Sequence, residues 1–166
     1  MKRFILQTLV AVVMLLLVAP GKGRGQDLSF TISLDKTAYT KGDQVKCTMM
    51  FKNTSKKDMV INNRMLVNNP NGPHEISFQI LDPGMKQVRF ASLINASAES
   101  KKFLVLHPGK SETKTYLLTE DFQLDTPGNY NIVGYYQNKY DAPVSLKMAP
   151  SWKGTLISNK VNFTIR

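Results

Sequence analysis

Residues 74–78, His-Glu-Ile-Ser-Phe, begin like the zinc-protease motif H-E-x-x-H. That motif needs two histidines one helical turn apart, so that both imidazoles reach one metal ion and the glutamate acts as the base. Here Phe78 occupies the second histidine position, and the alternation of apolar and polar residues indicates a strand. Residues four apart on a strand are separated by about 13 Å, which is too far for one zinc ion. We therefore predict no metal site in this segment.

A nucleophilic site would need a histidine beside a serine, threonine or cysteine, with an acid to orient the ring. The chain has two histidines, His74 and His107, and one cysteine, Cys47. His107 lies in a Leu-His-Pro-Gly turn, and the pattern around Cys47 directs its thiol inward, where it would be inert. The sequence contains no phosphate-binding glycine loop and no G-x-S-x-G motif. We predict no catalytic, metal-binding or cofactor-binding residues, and therefore not an enzyme.

The least ordinary segment is the connection 138–154, which is much longer than the roughly 2 to 5 residues of a usual hairpin. It contains two prolines, three lysines and several large apolar residues. A long loop on a rigid scaffold can vary without disturbing the core, which suits it to recognition. An alternative for Trp152 is a structural role, in which it folds back with Leu146 over one end of the core. We predict partner contacts from Tyr140, Leu146, Lys147, Met148 and Trp152.

Strands must hold this connection in place. Apolar residues recur at every second position in residues 28–34 and 45–51, which indicates half-buried strands. Similar short segments follow almost to the last residue, separated by Pro-Gly turns, and no convincing helix of ten residues occurs. Seven to nine such strands predict an all-β fold, a two-sheet antiparallel sandwich.

Two features predict an immunoglobulin-like topology. Gly128 and Tyr130 follow a turn at the entry to the penultimate strand, where the phenol would bond back to the backbone as a tyrosine corner. Antibody domains have a cysteine two residues later, where this chain has Ile132, and Cys47 lies where their first cysteine would be. Both are therefore predicted to be core residues. With a single cysteine, no intrachain disulfide can form.

The pattern of strands and turns resembles a group of small exported immunoglobulin-like modules, mainly bacterial. It is similar to the β-sandwich accessory domain beside deuterolysin-like metalloproteases, and more distantly to small sandwich proteinase inhibitors. The resemblance implies a fold and carries no catalytic residues. The matching segments are V-K-C-T-M-M-F-K-N-T-S (45–55), L-H-P-G (106–109), P-G-N-Y (127–130) and W-K-G-T-L-I-S-N-K-V-N-F-T-I (152–165).

The first residues have the layout of a secretory signal peptide. Two basic residues precede an apolar run, and small residues follow it at Gly23 and Gly25. A helix that spans a bilayer needs about 20 apolar residues, and the continuous apolar part of this segment is shorter. We predict a signal peptide at 1–25 and one domain at 26–166, exported to the periplasm or the extracellular space. An uncleaved anchor stays open as the alternative, because two further cations lie close to the apolar run.

The charge pattern does not indicate a nucleic-acid binder. After residue 25 the chain keeps 18 basic and 12 acidic residues, a net charge of +6. The basic residues are spread from Lys36 to Arg166, as on a solvated surface, rather than concentrated on one element. Attraction to an anionic surface or a glycan outside the cell stays open. Triplets at Asn53, Asn95 and Asn162 fit the glycan acceptor pattern, and in a bacterial host we expect them bare.

Three function classes differ in what they require. A binding or accessory module needs a stable sandwich and presented loops, which the sequence offers. A proteinase inhibitor needs a rigid exposed loop, for which the proline-flanked segment 143–150 is the candidate. A hydrolase needs a convergent polar cluster that the sequence does not offer. We therefore predict an exported, non-catalytic binding module for another exported protein or an envelope polymer, with inhibition through the loop 138–154 as the alternative.

The first testable prediction concerns processing. We expect protein recovered outside the cytoplasm to start at or near Gln26, because small residues precede that position. Intact mass spectrometry measures this start directly. Recovery of the full-length chain in membranes alone would contradict cleavage and select the anchor.

Overall fold

The computed structural model describes residues 27–68, 75–92, 102–144 and 149–166. Within these ranges no helix is long and apolar enough to cross a membrane. The elements in chain order are β1 Leu28–Leu34, β2 Ala38–Tyr39, β3 Lys46–Asn53, β4 Met59–Asn62, β5 Val67–Asn68, β6 Ile76–Leu81, β7 Phe103–Leu106, β8 Ser111–Leu117, α1 Leu118–Asp121, β9 Gly128–Asn138 and β10 Gly154–Ile165.

The strands form a three-stranded sheet in the order β1-β3-β8 and a five-stranded sheet in the order β2-β10-β9-β6-β5. A third, two-stranded sheet consists of β4 and β7. Nearly all the regular secondary structure of the described ranges is therefore strand, with a single helix of four residues. The predicted all-β sandwich without an intrachain disulfide is confirmed.

Some details differ from the predicted two-sheet antiparallel arrangement of seven to nine strands. The described ranges contain ten strands, because β2 and β5 are edge strands of only two residues that give little pattern in the sequence. Both of these pair in parallel, β2 with β10 and β5 with β6. The pair β4–β7 is separate because the other side of Val60 bonds to residues 150–152 rather than to a sheet. The immunoglobulin-like topology stays a prediction.

The core lies between the three-stranded and the five-stranded sheets and is built around aromatic side chains. Phe30 of β1 stacks on Phe51 of β3, with ring centroids 4.6 Å apart. Phe51 in turn meets Tyr136 of β9 edge-on at 4.8 Å. A Cβ on Gly134 would lie 3.0 Å from the Phe30 ring, so this glycine leaves the space that the ring fills. Such aromatic pairs add about 0.5 to 1.5 kcal/mol each to the burial of their surface.

The tyrosine corner is confirmed. The Tyr130 hydroxyl donates to the Thr126 carbonyl oxygen at 2.8 Å and accepts from the Thr126 amide at 3.1 Å. Gly128 has a φ of +134°, and a Cβ there would lie 2.6 Å from Pro83. The backbone conformation favours glycine at this turn, and Pro83 leaves no room for a side chain there. Ile132, two residues after the tyrosine, is buried as predicted.

A bulge in β10 covers the edge of β1. The Asn159 side chain accepts from the Ile32 amide at 2.9 Å and donates to the Ile32 carbonyl at 3.0 Å. Its amide thus takes the place of a neighbouring strand residue. The Ser158 hydroxyl accepts from the Gly134 amide at 2.8 Å, which replaces a ladder bond lost at the bulge. The bulge therefore protects an edge that would otherwise be open to pairing with another chain.

The second prediction concerns Cys47, which is fully buried, as the sequence predicted. Burial raises the pKa of its thiol to about 12. We expect a water-soluble maleimide to label it only after unfolding, because the folded protein offers neither access nor thiolate. Mass spectrometry with and without denaturant measures the labelling, and fast reaction of the folded chain would contradict the strand register.

Substitution at the same position tests the energetics. Cys47→Ser should lower the free energy of unfolding by about 1 to 3 kcal/mol, because it buries a hydroxyl in an apolar site. Met50→Ser is the matched control, since Met50 is 40% exposed on the outer face of the same strand. Its effect should stay within about 0.5 kcal/mol. Urea denaturation measures both variants, and equal losses would show that the inner face is not specifically apolar.

Candidate functional site

The connection between β9 and β10 comprises residues 139–153, of which 139–144 and 149–153 lie in the described ranges. It begins directly after Asn138, the last residue of β9. The alternation of β9 directs Tyr136 and Asn138 to the same inner face, and Asn138 is 1% exposed. A polar side chain in that position must find hydrogen bonds inside the protein.

Asn138 finds these bonds on both sides of the connection. Its amide nitrogen donates to the Tyr140 carbonyl at 3.1 Å and to the Trp152 carbonyl at 2.7 Å. Its amide oxygen accepts from the Tyr140 backbone nitrogen at 3.1 Å. One buried side chain therefore ties the outgoing and returning stems together.

Two further contacts join the stems above Asn138. The Ser151 hydroxyl accepts from the Ala142 amide at 2.8 Å. The Lys153 ammonium lies 2.6 Å from the Asp141 carboxylate, with both side chains at least half exposed. An exposed ion pair of this kind contributes only about 0 to 1 kcal/mol. The Asn138 and Ser151 hydrogen bonds are therefore the stronger constraints on the stems.

The returning stem is also bonded to β4. The Val60 amide donates to the Pro150 carbonyl at 3.0 Å, and the Trp152 amide donates to the Val60 carbonyl at 2.8 Å. Ser151 and Val60 thus form a parallel bridge. The returning stem is held like a short strand, which restricts the positions open to the rest of the connection.

Trp152 is partly buried and packs on the core. Its ring stacks on Tyr136 with centroids 5.7 Å apart. Gly154 has a φ of +145°, and a Cβ there would lie 3.2 Å from the indole. These contacts agree with the structural role that the sequence left open for Trp152. Its predicted role in partner binding stays a prediction.

The outgoing stem is most exposed at its last two described residues, Pro143 and Val144, which we call the apolar tip. Val144 is 94% exposed and directly follows Pro143, and Tyr140 is 41% exposed. A cleft of about 400 Å³ lies between the stems, lined by residues 141–144 and 149–151. Leu146, Lys147 and Met148, which the sequence predicts as partner contacts, lie outside the described residues.

The described residues that could take part in catalysis or metal binding do not converge on one site. The His107 ring nitrogen Nδ1 lies 2.8 Å from the Asp58 carboxylate. Asp58 directly precedes β4 and His107 directly follows β7, and both side chains are exposed. His74 lies outside the described residues. Burial raises the pKa of the Asp121 carboxyl, which accepts hydrogen bonds from the hydroxyls of Ser92 and Tyr116. Across residues 27–68, 75–92, 102–144 and 149–166, no three His, Cys, Asp or Glu side chains are grouped to hold a metal ion.

Glu75 forms a buried ion pair that the sequence did not predict. The Arg64 guanidinium donates to both of its carboxylate oxygens, at 2.5 and 3.1 Å. Asn62 and the Leu66 amide donate to the same carboxylate at 3.0 and 3.2 Å. The four groups fix the segment after β4 against the start of β6. Both carboxylate oxygens of the glutamate in the protease-like sequence are therefore used in structural hydrogen bonds.

The glycan acceptor triplets differ in access. Asn53 is fully buried, and its amide donates to the carbonyls of Lys57 and Leu106, both at 2.7 Å. Folding therefore removes this asparagine from modification. Asn162 is exposed on the outer face of β10, and Asn95 lies outside the described residues.

Comparisons with known proteins give no family. No family model matches the chain, and no curated protein is significantly similar to it. Among solved structures, the sporulation control protein Spo0M from Bacillus subtilis matches 84% of this chain and 49% of its own, with 14% identity and a TM-score of 0.43.

Two β-glucosidases also match over most of this chain. The enzyme from Erythrobacter marinus matches 84% of this chain and 15% of its own, with 12% identity and a TM-score of 0.40. The enzyme from Listeria innocua matches 83% and 16%, with 11% identity and a TM-score of 0.35. The chain thus spans about half the length of the sporulation protein and about a sixth of the glucosidases.

The third prediction tests how the connection is held. Asn138→Ala should lower the free energy of unfolding by about 1 to 3 kcal/mol, because it leaves buried backbone groups of both stems without partners. It should also speed tryptic cleavage after Lys139 and Lys153, since the stems would separate. Urea denaturation and timed digestion measure the two effects.

Gln137→Ala is the matched control for this experiment. Gln137 is the preceding residue of β9, and its amide bonds to the Thr155 hydroxyl on the exposed outer face. Its removal should change the free energy of unfolding by no more than about 0.5 kcal/mol. Similar stability and digestion of the two variants would mean that Asn138 does not hold the connection.

Proposed function

We propose that this protein is an exported, non-catalytic binding module that engages another exported protein through the connection 139–153. The observation that carries the proposal is the combination of a bare apolar tip and fixed stems. Val144 is 94% exposed, whereas Asn138, Ser151 and Val60 hold the chain on either side of it. A partner that covers this valine removes its apolar surface from water, which favours binding.

The fixed stems also favour affinity. A loop whose stems are already fixed loses less conformational entropy on binding than a loop with free stems does. Five large apolar residues of the described ranges are notably exposed, and two of them, Tyr140 and Val144, lie in this connection. Tyrosine is among the residue types that carry most of the binding energy in protein interfaces.

Export is part of the proposal. The N-terminal pattern of cations, apolar run and small residues supports it. The resemblance to accessory domains beside secreted metalloproteases supports the same role, a non-catalytic domain that works beside another exported protein.

Proteinase inhibition is the second candidate, and one observation favours it. Pro143 fixes its own backbone angle directly before the exposed Val144, and the Ala142 amide is bonded to Ser151 across the cleft. An inhibitory loop needs this combination of an accessible residue and a restrained backbone.

The fourth prediction tests the role of the tip. Val144→Asp should reduce capture of the crosslinked partner at least about tenfold, because a charge would be buried in the interface. Ile157→Asp is the matched control, since Ile157 is 62% exposed on the outer face of β10 and should leave capture unchanged. Quantitative mass spectrometry of crosslinked envelope extracts measures both variants, after thermal melting confirms that they fold.

The same variants separate the two candidate functions. Inhibition of an endopeptidase by the original chain, abolished by Val144→Asp, would select the inhibitor. Capture of a partner that is lost in Val144→Asp, without inhibition of an endopeptidase by the original chain, would select the accessory module. Equal capture by the original chain and both variants would overturn the role of the connection.

A further inference from the structure

A second surface lies at the opposite end of β9 from the connection. It is a groove of about 670 Å³ between the outer faces of β9 and β10, strand β2 and the turn 83–85. Its volume falls within the range of about 300 to 1,000 Å³ that is usual for small-ligand sites. The groove is separate from the cleft of the connection, with which it shares no lining residue.

Amide and hydroxyl side chains form the floor of this groove. Asn131 of β9 pairs with Asn162 of β10, and Asn129 pairs with Thr164. Alternate residues of a strand share a face, so all four side chains rise from the outer face of the sheet. Directly opposed residues have Cβ atoms about 4.5 to 5.5 Å apart, which places the two amides of the first pair side by side. The Thr164 hydroxyl donates to the Asn129 side-chain oxygen at 2.8 Å, which orients that amide.

The groove has little charge, although the chain is basic. Arg166 is the only charged side chain among its eleven lining residues. An asparagine amide offers both hydrogen-bond donors and an acceptor, and so does a neighbouring pair of sugar hydroxyls. Neutral polar groups arranged in this way recognise hydroxyls better than they recognise an ion.

One wall of the groove is apolar and held in a strained conformation. Met85 is 66% exposed and has a φ of +61°, in the left-handed region that disfavours residues other than glycine. The turn is fixed by bonds from the Met85 amide to the Asp82 carbonyl at 2.9 Å and from the Lys86 amide to the Asp82 carboxylate at 2.8 Å. The turn therefore holds an exposed apolar side chain in a fixed position beside the polar floor.

We propose that this groove binds a neutral carbohydrate chain. The amides of Asn131 and Asn162 bond to adjacent hydroxyls, while Met85 and Pro83 cover the apolar C–H face of a sugar ring. A peptide is the less suitable occupant, because the edge strand beside the groove, β2, has only two residues and offers few backbone bonds, whereas the amides and hydroxyls of the floor rise from the sheet face. The site is independent of the connection that the proposed function uses.

The fifth prediction tests this site with defined probes. The probes are cellohexaose, laminarihexaose, maltohexaose, mannohexaose and chitohexaose, and the full chain is produced in a bacterial host that leaves Asn162 unglycosylated. At least one hexasaccharide should shift the side-chain amide resonances of Asn131 and Asn162 in a saturable manner. Asn131→Ala and Asn162→Ala should each weaken that binding at least about tenfold.

Gln137→Ala is the matched control, because it removes an amide from the same face of β9 outside the groove. Its affinity for the sugar should stay within about twofold of the original chain, as should that of Val144→Asp, which separates this site from the connection. Absence of binding by all five sugars at millimolar concentration would overturn the proposal. Equal weakening by Gln137→Ala, or saturable shifts with an uncharged extended peptide but with none of the sugars, would also overturn it.

Discussion

Tyr136 is the residue on which most of the described structure depends. Its ring contacts Phe51 of the opposite sheet at 4.8 Å and Trp152 of the connection at 5.7 Å. Its hydroxyl accepts from the Asn62 amide at 3.1 Å and lies 3.3 Å from the Asn62 carbonyl, at the end of β4. Burial raises the pKa of this phenol, so it stays a neutral donor. One fully buried side chain thus joins two sheets, β4 and the base of the connection.

This arrangement explains how the stems of the connection are fixed without a disulfide. The aromatic core fixes β9, and the next inward residue, Asn138, transfers that order to both stems of the connection. Asn53 has the same role at the end of β3, where its amide bonds to the carbonyls of Lys57 and Leu106. Buried asparagines at strand ends therefore perform locally what disulfides do in small disulfide-bonded domains.

The sequence predicts the features that are encoded locally. The alternation of β1 and β3, the buried Cys47 and the corner at Tyr130 follow from residues close together in the chain. The ion pair of Arg64 and Glu75 escapes this reasoning because its members lie in two separate connections, one after β4 and one before β6. A polar residue at an inward strand position, such as Asn138, was nevertheless a usable signal, since its burial requires a nearby partner.

The two proposed surfaces differ in chemistry because different side chains of β9 lie beneath them. At the far end of β9, inward asparagine and aromatic side chains leave an apolar tip as the part that a partner can cover. At the near end, the inner face is occupied by Tyr130 and Phe163, which stack with centroids 5.1 Å apart. The outer face can therefore hold Asn131 and Asn162 without cost to the core. Because successive side chains of a strand point to opposite faces, the inner residues can pack in the core while the outer residues are free to bind a ligand.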